Sequence, residues 1–327
     1  MLILVQGPFI ANTKYLVKDL AFCFPNYQII VSCYEKEVEN NYFSKFKNIK
    51  IINNADPGSV MIPPRGKPMN LKRQAKTIYK GCLNSNEEWV MKIRSDLKIA
   101  DKNKFLKAIN RYECLINEKK FLRIITLDNG SLDIFSYYDM LFHFNDWFFI
   151  CRRRTLLENC LAISNIDEED LVKPFQDLYP KNYFHYKKYR MLFHNEQLIH
   201  FGKQFLGGKT IKYCCQNNTF YRLKHLIWVA KYLRVSPLRK FGLKSSKVGY
   251  PSLRSKLAAI SFYSWELHFY VWKTRGITRK IFITILRLHG YFRKLIFIVL
   301  MLQSRLRLYF FRLFKKYLQN IDKFINI

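Results

Sequence analysis

Between Trp89 and Leu97 an apolar run is interrupted by three charged side chains, Lys92, Arg94 and Asp96, each two residues from the next. On a strand alternate residues share a face, so Val90, Lys92, Arg94 and Asp96 point one way while Met91, Ile93 and Leu97 point the other. If that strand is central, an ion buried without a partner costs several kcal/mol. The charges then need a partner, and at a strand's carboxyl end a phosphate group is a natural one. If the strand is an edge, Lys92 and Arg94 stand in water and Asp96 caps the following turn. Spacing alone leaves both readings open.

The surrounding elements decide between them. Residues 2–6 read as a buried strand stopped by Gly7-Pro8, residues 14–23 as a helix ending before Pro25, and residues 27–33 as the next strand. A third apolar run, 48–54, closes at Asp56-Pro57-Gly58, a turn signal. The segment 59–69, with Pro63-Pro64 and Gly66, reads as an extended, mobile loop. A helix over 70–83 follows, with Asn70 as its N-cap and Leu71, Ala75, Ile78 and Leu83 at helical spacing. After the strand at 89–93, helices at 101–114, 136–142 and 153–160 alternate with strands at 121–126 and 146–151. This rhythm marks an α/β domain of Rossmann type with a mainly parallel sheet. Such sheets bind ligands beyond the carboxyl ends of their strands. Gln6-Gly7-Pro8, Ser32-Cys33-Tyr34-Glu35 and Asp56-Pro57-Gly58 place polar or turn residues at the same end as Arg94 and Asp96. Four strand ends converging on polar chemistry favour the ligand reading.

Composition narrows the function classes. With 327 residues, 49% of them apolar and 17% aromatic, the chain has ample material for a core and is not a disordered protein in bulk. It carries 56 Lys and Arg against 24 Asp and Glu, a net charge of +32. From Lys231 onward there are 21 basic residues against two acids, Glu266 and Asp322. A segment this basic is expected to meet an anionic surface, nucleic acid or membrane. The eight cysteines form no C-x-x-C pair and sit mostly in apolar stretches, so a reducing compartment is expected. The first residues lack the basic and long apolar regions of a signal peptide, which leaves the sequons at Asn129 and Asn217 idle. Gly207-Gly208-Lys209-Thr210 ends like a phosphate-binding P-loop, but Lys203 stands where that motif needs glycine. His185, His194 and His200 have no companions at metal-ligand spacing.

Several short motifs then carry a resemblance: Gln6-Gly7-Pro8-Phe9, Ser32-Cys33-Tyr34-Glu35, Asp56-Pro57-Gly58, Asn70-Leu71-Lys72-Arg73-Gln74, Lys92-Ile93-Arg94-Ser95-Asp96-Leu97, Asn145-Asp146-Trp147-Phe148-Phe149 and Asn195-Glu196-Gln197. In their order and rough spacing over about residues 1–206 they resemble the WavE lipopolysaccharide synthesis family, which looks like glycosyltransferases of the GT-A type. The resemblance implies a GT-A-like fold, a nucleotide-sugar donor and a glycan or lipid-linked glycan acceptor. It places the donor's base and ribose on Gln6, Gly7, Tyr34 and Glu35, and its diphosphate on Asn70, Arg73, Gln74, Lys92 and Arg94. The start of the 70–83 helix suits phosphate in any case, through free N–H groups and the helix dipole. Asp96 would hold a divalent cation, Mn²⁺ or Mg²⁺, since such ions take one or two carboxylates plus substrate oxygens. Typical GT-A enzymes carry Asp-x-Asp here. Arg94 occupies the first position, and a guanidinium there can meet a phosphate directly. An inverting transfer needs a general base for the acceptor hydroxyl, and Asp146 and Glu196 are the two candidates.

Residues 1–225 are therefore expected to form the catalytic domain, and 226–327 a basic, aromatic, helical attachment region. Leu306, Phe310, Leu313, Tyr317, Ile321 and Phe324 make an apolar stripe at helical spacing, while no uncharged run approaches the ~20 residues of a membrane span. The expected setting is peripheral, on the cytoplasmic face of the inner membrane, with an anionic membrane and no nucleic acid as partner. Two readings from other classes stay open: a single-strand nucleic-acid binder, since basic segments with interleaved Tyr and Phe also stack bases, and a non-catalytic scaffold on a decayed glycosyltransferase fold, for which Arg94 is the argument.

Overall fold

The computed structural model describes residues 1–34, 43–62, 67–118, 124–127, 147–165, 167, 233–236, 238–245, 271, 273–292, 295–296 and 298–299. Its centre is β1 (Leu2–Gln6), five residues with every side chain buried. A strand whose two faces are both apolar must be covered on both sides, and β1 lies between β2 (Ile29–Cys33) and β6 (Trp89–Arg94), parallel to each. The other strands extend this sheet in the order β10-β8-β9-β6-β1-β2-β3, with β3 at Ile49–Asn53, β8 at Ile124–Leu127, β9 at Phe148–Arg152 and β10 at Leu233–Ser236. All neighbours run parallel except β9, which is antiparallel to both β6 and β8. The expected Rossmann-type α/β fold with a mainly parallel sheet is the fold observed.

Two apolar layers flank the sheet. On one face Ile3, Val5, Val31, Met91 and Ile93 pack under α1 (Ala11–Cys23) and α3 (Lys102–Asn117). On the other, Leu2, Leu4, Ile30 and Val90 pack under α2 (Leu71–Leu83) and α4 (Arg153–Ser164). α2 presents Leu71, Ala75, Ile78 and Cys82 inward, so Cys82 and not the exposed Leu83 completes its apolar face. Gly81 lets α2 approach β1: a Cβ there would lie 2.4 Å from a Leu4 methyl. Asp101 caps α3, its carboxylate accepting from the Lys104 N–H at 3.0 Å.

Three features depart from the linear reading. The segment expected to be an extended loop holds a small antiparallel hairpin, β4 (Val60–Ile62) with β5 (Lys67–Met69). Pro68 is tolerated there because a two-stranded ribbon has open edges where no donor is needed. A further pairing joins β7 (Leu97–Ile99), directly after the charged stretch, to β11 (Leu243–Ser245). Strands from beyond residue 225 thus complete the sheet edge and brace the turn after β6, so the expected boundary at 225 is crossed by backbone pairing. The expected helix at 136–142 and apolar stripe at 306–324 lie outside the described residues.

Candidate functional site

The register of the central strands assembles the site. Gln6, the last residue of β1, pairs with Arg94 of β6 on one side and Ser32 of β2 on the other. The Ser95 N–H donates to the Gln6 carbonyl at 2.9 Å and the Gly7 N–H to the Ser32 carbonyl at 3.4 Å, so the strand ends are tied together just where they stop. Gly7 has φ +132°, and a Cβ built on it would lie 2.5 Å from Ser95 Oγ. Only glycine holds this backbone without strain while leaving the space between the two strand ends open.

Polar side chains behind this edge are fixed by hydrogen bonds. Gln6 Nε2 donates to Thr77 Oγ1 at 3.2 Å, Ser32 Oγ donates to the Thr77 carbonyl at 2.8 Å, and Asn54 Nδ2 donates to Ser32 Oγ at 3.0 Å. Asn12, on the first turn of α1, donates from Nδ2 to the carbonyls of Ser95 and Leu97 at 3.1 and 2.8 Å, holding the turn after β6 in place. Among the described residues, Gln6 Oε1 and Ser95 Oγ are two of the buried polar atoms that have no hydrogen-bond partner. Such atoms are rare and call for a reason; here both stand at the converging strand ends, beside Gly7.

Arg94 and Asp96 form the charged heart of the site. Arg94 Nε and Nη2 donate to the two Asp96 oxygens at 2.6 and 2.9 Å, a fork-to-fork pair. The Asp96 side chain is only 5% exposed, whereas that of Arg94 is 25% exposed and reaches outward. The Arg94 guanidinium lies 5.1 Å from the Trp147 ring centroid, and the Arg94 backbone N–H donates to the Trp147 carbonyl at 2.8 Å. The antiparallel direction of β9 makes this contact possible, since it carries the start of β9 to the carboxyl end of β6. Asp146 immediately precedes Trp147 in the chain but, like Glu35 and Glu196, lies outside the described residues.

Lys92 is not at this edge. It lies in mid-sheet between Leu4 and Phe149, is fully buried, and places its ammonium 5.3 Å from the Phe149 ring. Alternation put it on the face of Arg94, but two residues of rise along the strand set it deep in the α2/α4 layer. It is a core residue, and the expectation that it meets the diphosphate is corrected on that ground.

At the start of α2, Arg73 is committed to protein. Its Nε and Nη2 donate to Asp56 at 2.8 and 2.6 Å, and its Nη1 to Asn70 Oδ1 at 3.0 Å. The pair holds the Asp56 carboxyl below its usual range and raises the guanidinium. Asn70 occupies the N-cap position without a side-chain cap bond, its oxygen serving Arg73 instead, and the Gln74 N–H donates to the Asn70 carbonyl at 2.9 Å. Tyr34 donates its hydroxyl to the Arg73 carbonyl, and burial pushes its phenol well up. The 56–58 turn and the residue after β2 are thus strapped to α2. Asn12, Thr77, Ser95 and Trp147 are the site residues that sequence reasoning did not single out; their contacts span long loops, and only Ser95, in the 92–97 motif, and Trp147, in the 145–149 motif, stood inside quoted signals.

The donor set admits a divalent ion in one way. Among the described residues no three acidic, histidine or cysteine side chains come together as a metal cage. Asp96 is nevertheless of the oxygen type that Mg²⁺ and Mn²⁺ take, and one carboxylate plus substrate phosphate oxygens suffices. Asp96 would hold the ion, after Arg94 has yielded one or both of its oxygens.

The family profile described as WavE lipopolysaccharide synthesis matches residues 2–201. No curated protein matches. Among solved structures, the galactosyltransferase LgtC in complex with donor and acceptor sugar analogues is similar at 14% identity and a TM-score of 0.34, over 68% of this chain and 81% of that one. The 4-diphosphocytidyl-2C-methyl-D-erythritol synthase of Anaerococcus prevotii is similar at 11% identity and 0.32, over 54% and 82%. HddC of Yersinia pseudotuberculosis, complexed with GMP-PN, is similar at 14% identity and 0.29, over 50% and 78%. Likeness at this level extends to neither activity nor site.

Proposed function

The chain belongs to the WavE lipopolysaccharide synthesis family, and on that premise we propose that it is a glycosyltransferase moving a sugar from a nucleotide-sugar donor onto a lipopolysaccharide or related surface-glycan acceptor. The observation that carries the reading is the Arg94–Asp96 pair at the carboxyl end of a central strand, set beside Gly7 and beside Gln6 Oε1 and Ser95 Oγ, which have no partner among the described residues. A parallel sheet offers its ligand site at that end. A fixed guanidinium there answers a diphosphate, and short backbone edges with buried amide and hydroxyl groups answer a base and ribose.

In this proposal the backbone at Gln6 and Gly7, together with Tyr34 and Glu35, receives the nucleoside. Arg94, outermost of the pair and braced on Trp147, meets the diphosphate and offsets charge as the bond from the anomeric carbon to phosphate breaks. Asp96 orients Arg94, and it is the residue that would hold Mn²⁺ or Mg²⁺, whose chemistry would be to neutralise the leaving phosphates. Asn70, Arg73 and Gln74 fix the strap between α2 and the 56–58 turn that bounds the site. The acceptor hydroxyl gives its proton to Asp146 or Glu196 as its oxygen bonds to the anomeric carbon, and the nucleoside diphosphate leaves. The acceptor of such an enzyme is anchored in lipid, which suits a peripheral position on the cytoplasmic membrane face.

The test is release of nucleoside diphosphate from a panel of nucleotide-sugars with a lipid-linked acceptor, native against Asp96→Asn. Loss of a hundredfold or more in turnover in a variant that still melts cooperatively supports the assignment. Native rates in the variant sink it.

A further inference from the structure

The helical residues between 276 and 299 carry two apolar faces where a surface helix needs one. Leu286 is fully buried and Gly290 is buried, so this side of the helix is the one packed on protein. Nearly opposite, Ile277, Ile281, Ile285, Leu288, Phe292 and Leu295 follow one another at steps of four, four, three, four and three. At 3.6 residues per turn they fall within an arc of about 80°. All six face outward: Ile277 is 77% exposed, Leu288 64%, Phe292 65% and Leu295 58%. Single exposed apolar residues are ordinary on protein surfaces, but a ridge of them at helical spacing over the four turns from Ile277 to Phe292 is not.

The charges around the ridge say what covers it. Lys280 and Arg287 are exposed along one border of the stripe, and Lys273 and Arg275 are exposed just before the helix. From Lys231 onward the chain holds 21 basic residues and two acidic ones. A second copy of this chain would bring like charge against like charge. A base-stacking platform needs neither aliphatic residues nor helical periodicity. No helix among the described residues is long and apolar enough to cross a bilayer.

We propose that this face is an interfacial docking surface for an anionic lipid bilayer. The helix lies in the plane of the leaflet, with Ile277 to Leu295 buried at the acyl boundary and Lys280 and Arg287 among anionic headgroups. The surface was not singled out by the apolar stripe expected at 306–324, and it stands independently of the transferase reading, because vesicle binding involves no donor.

The experiment uses the full chain and co-sedimentation with phosphatidylcholine vesicles, with and without phosphatidylglycerol. Native protein should bind the anionic vesicles and bind neutral ones more weakly, and salt should reduce the binding without abolishing it. Ile281→Glu/Leu288→Glu should lower partitioning at least tenfold while the melting temperature stays at the native value. Lys280→Glu/Arg287→Glu should lower partitioning to anionic vesicles about tenfold and flatten the salt dependence. Native binding by the Ile281→Glu/Leu288→Glu protein would overturn the proposal. So would a marked loss of its thermal stability, which would show the ridge to be covered by the chain itself, or conversion of a native dimer to a monomer in sedimentation velocity, which would make the occupant a second copy.

Discussion

Asp96→Asn is the perturbation on which the site's energetics can be worked out. Asp96 is 5% exposed and accepts two charge-assisted hydrogen bonds from Arg94, at 2.6 and 2.9 Å. Hydrogen bonds to charged groups contribute about 1.5–3 kcal/mol each. Asparagine keeps one acceptor oxygen and removes the charge, and Arg94, 25% exposed, recovers part of its hydration. The expected loss is roughly 2 kcal/mol, more than the few tenths a surface carboxylate would cost. Arg94→Ala strips both charge-assisted hydrogen bonds of the guanidinium from the buried carboxylate and should cost about 3 kcal/mol. Because each substitution already breaks the pair, the double variant should lose less than the sum, by about 1–2 kcal/mol. Urea unfolding of the native chain and the three variants, compared at constant m-value, measures this. Additivity within about 0.5 kcal/mol would refute the claim that the two side chains act as one unit.

Gly7→Ala should abolish nucleotide-sugar binding and lower stability by about 1–3 kcal/mol, since φ +132° and the 2.5 Å approach to Ser95 Oγ leave no room for a Cβ; calorimetric titration and melting read the two effects. Arg73 depresses the Asp56 carboxyl, so the stability it lends is present above the carboxyl's unfolded pKa and is lost as pH falls through the lower folded value. Asp56→Asn should therefore lower the neutral plateau and flatten the acid limb of the stability–pH curve, the two curves meeting at low pH. Burial pushes the Cys82 thiol up to about 12 and those of Cys151 and Cys160 well above their ordinary value, whereas Cys114 is exposed. Brief iodoacetamide treatment at neutral pH followed by peptide mass spectrometry should find Cys114 alkylated and those three intact.

The strands at the centre of the sheet could be read from the sequence because their apolar runs are buried on both faces. Residues 2–6, 29–33 and 89–94 leave no other place for Leu, Ile and Val, and each ends where a polar or turn residue appears. The convergence of Gln6, Gly7, Arg94 and Asp96 followed from those ends. What alternation cannot tell is depth along a strand, which is why Lys92 read as a companion of Arg94 and is a core residue. Pairing across distance was equally hidden. Arg73 looked like a phosphate ligand because its helix start suits phosphate, but its partner Asp56 lies 17 residues earlier and is brought to it by the β3 turn. β10 and β11 are short, carry lysine and arginine, and sit in a basic segment whose charge drew attention away from their pairing with β8 and β7. The direction of β9, which sets Trp147 against Arg94, has no local signal at all, because a five-residue apolar strand reads the same in either sense.

The central claim is that the carboxyl ends of β1, β2 and β6 receive a nucleotide-sugar. It is tested most directly by the unfolding temperature of the purified native chain against a panel of uridine, guanosine, cytidine and adenosine diphosphate sugars, each with and without Mn²⁺, alongside single-stranded RNA. A ligand that binds only the folded state at a hundred times its Kd stabilises by about 2.7 kcal/mol. At least one nucleotide-sugar should raise the melting temperature by several degrees, with the shift lost in Gly7→Ala and much reduced in Arg94→Ala. No shift with any nucleotide-sugar, together with a clear shift on RNA, would contradict the account.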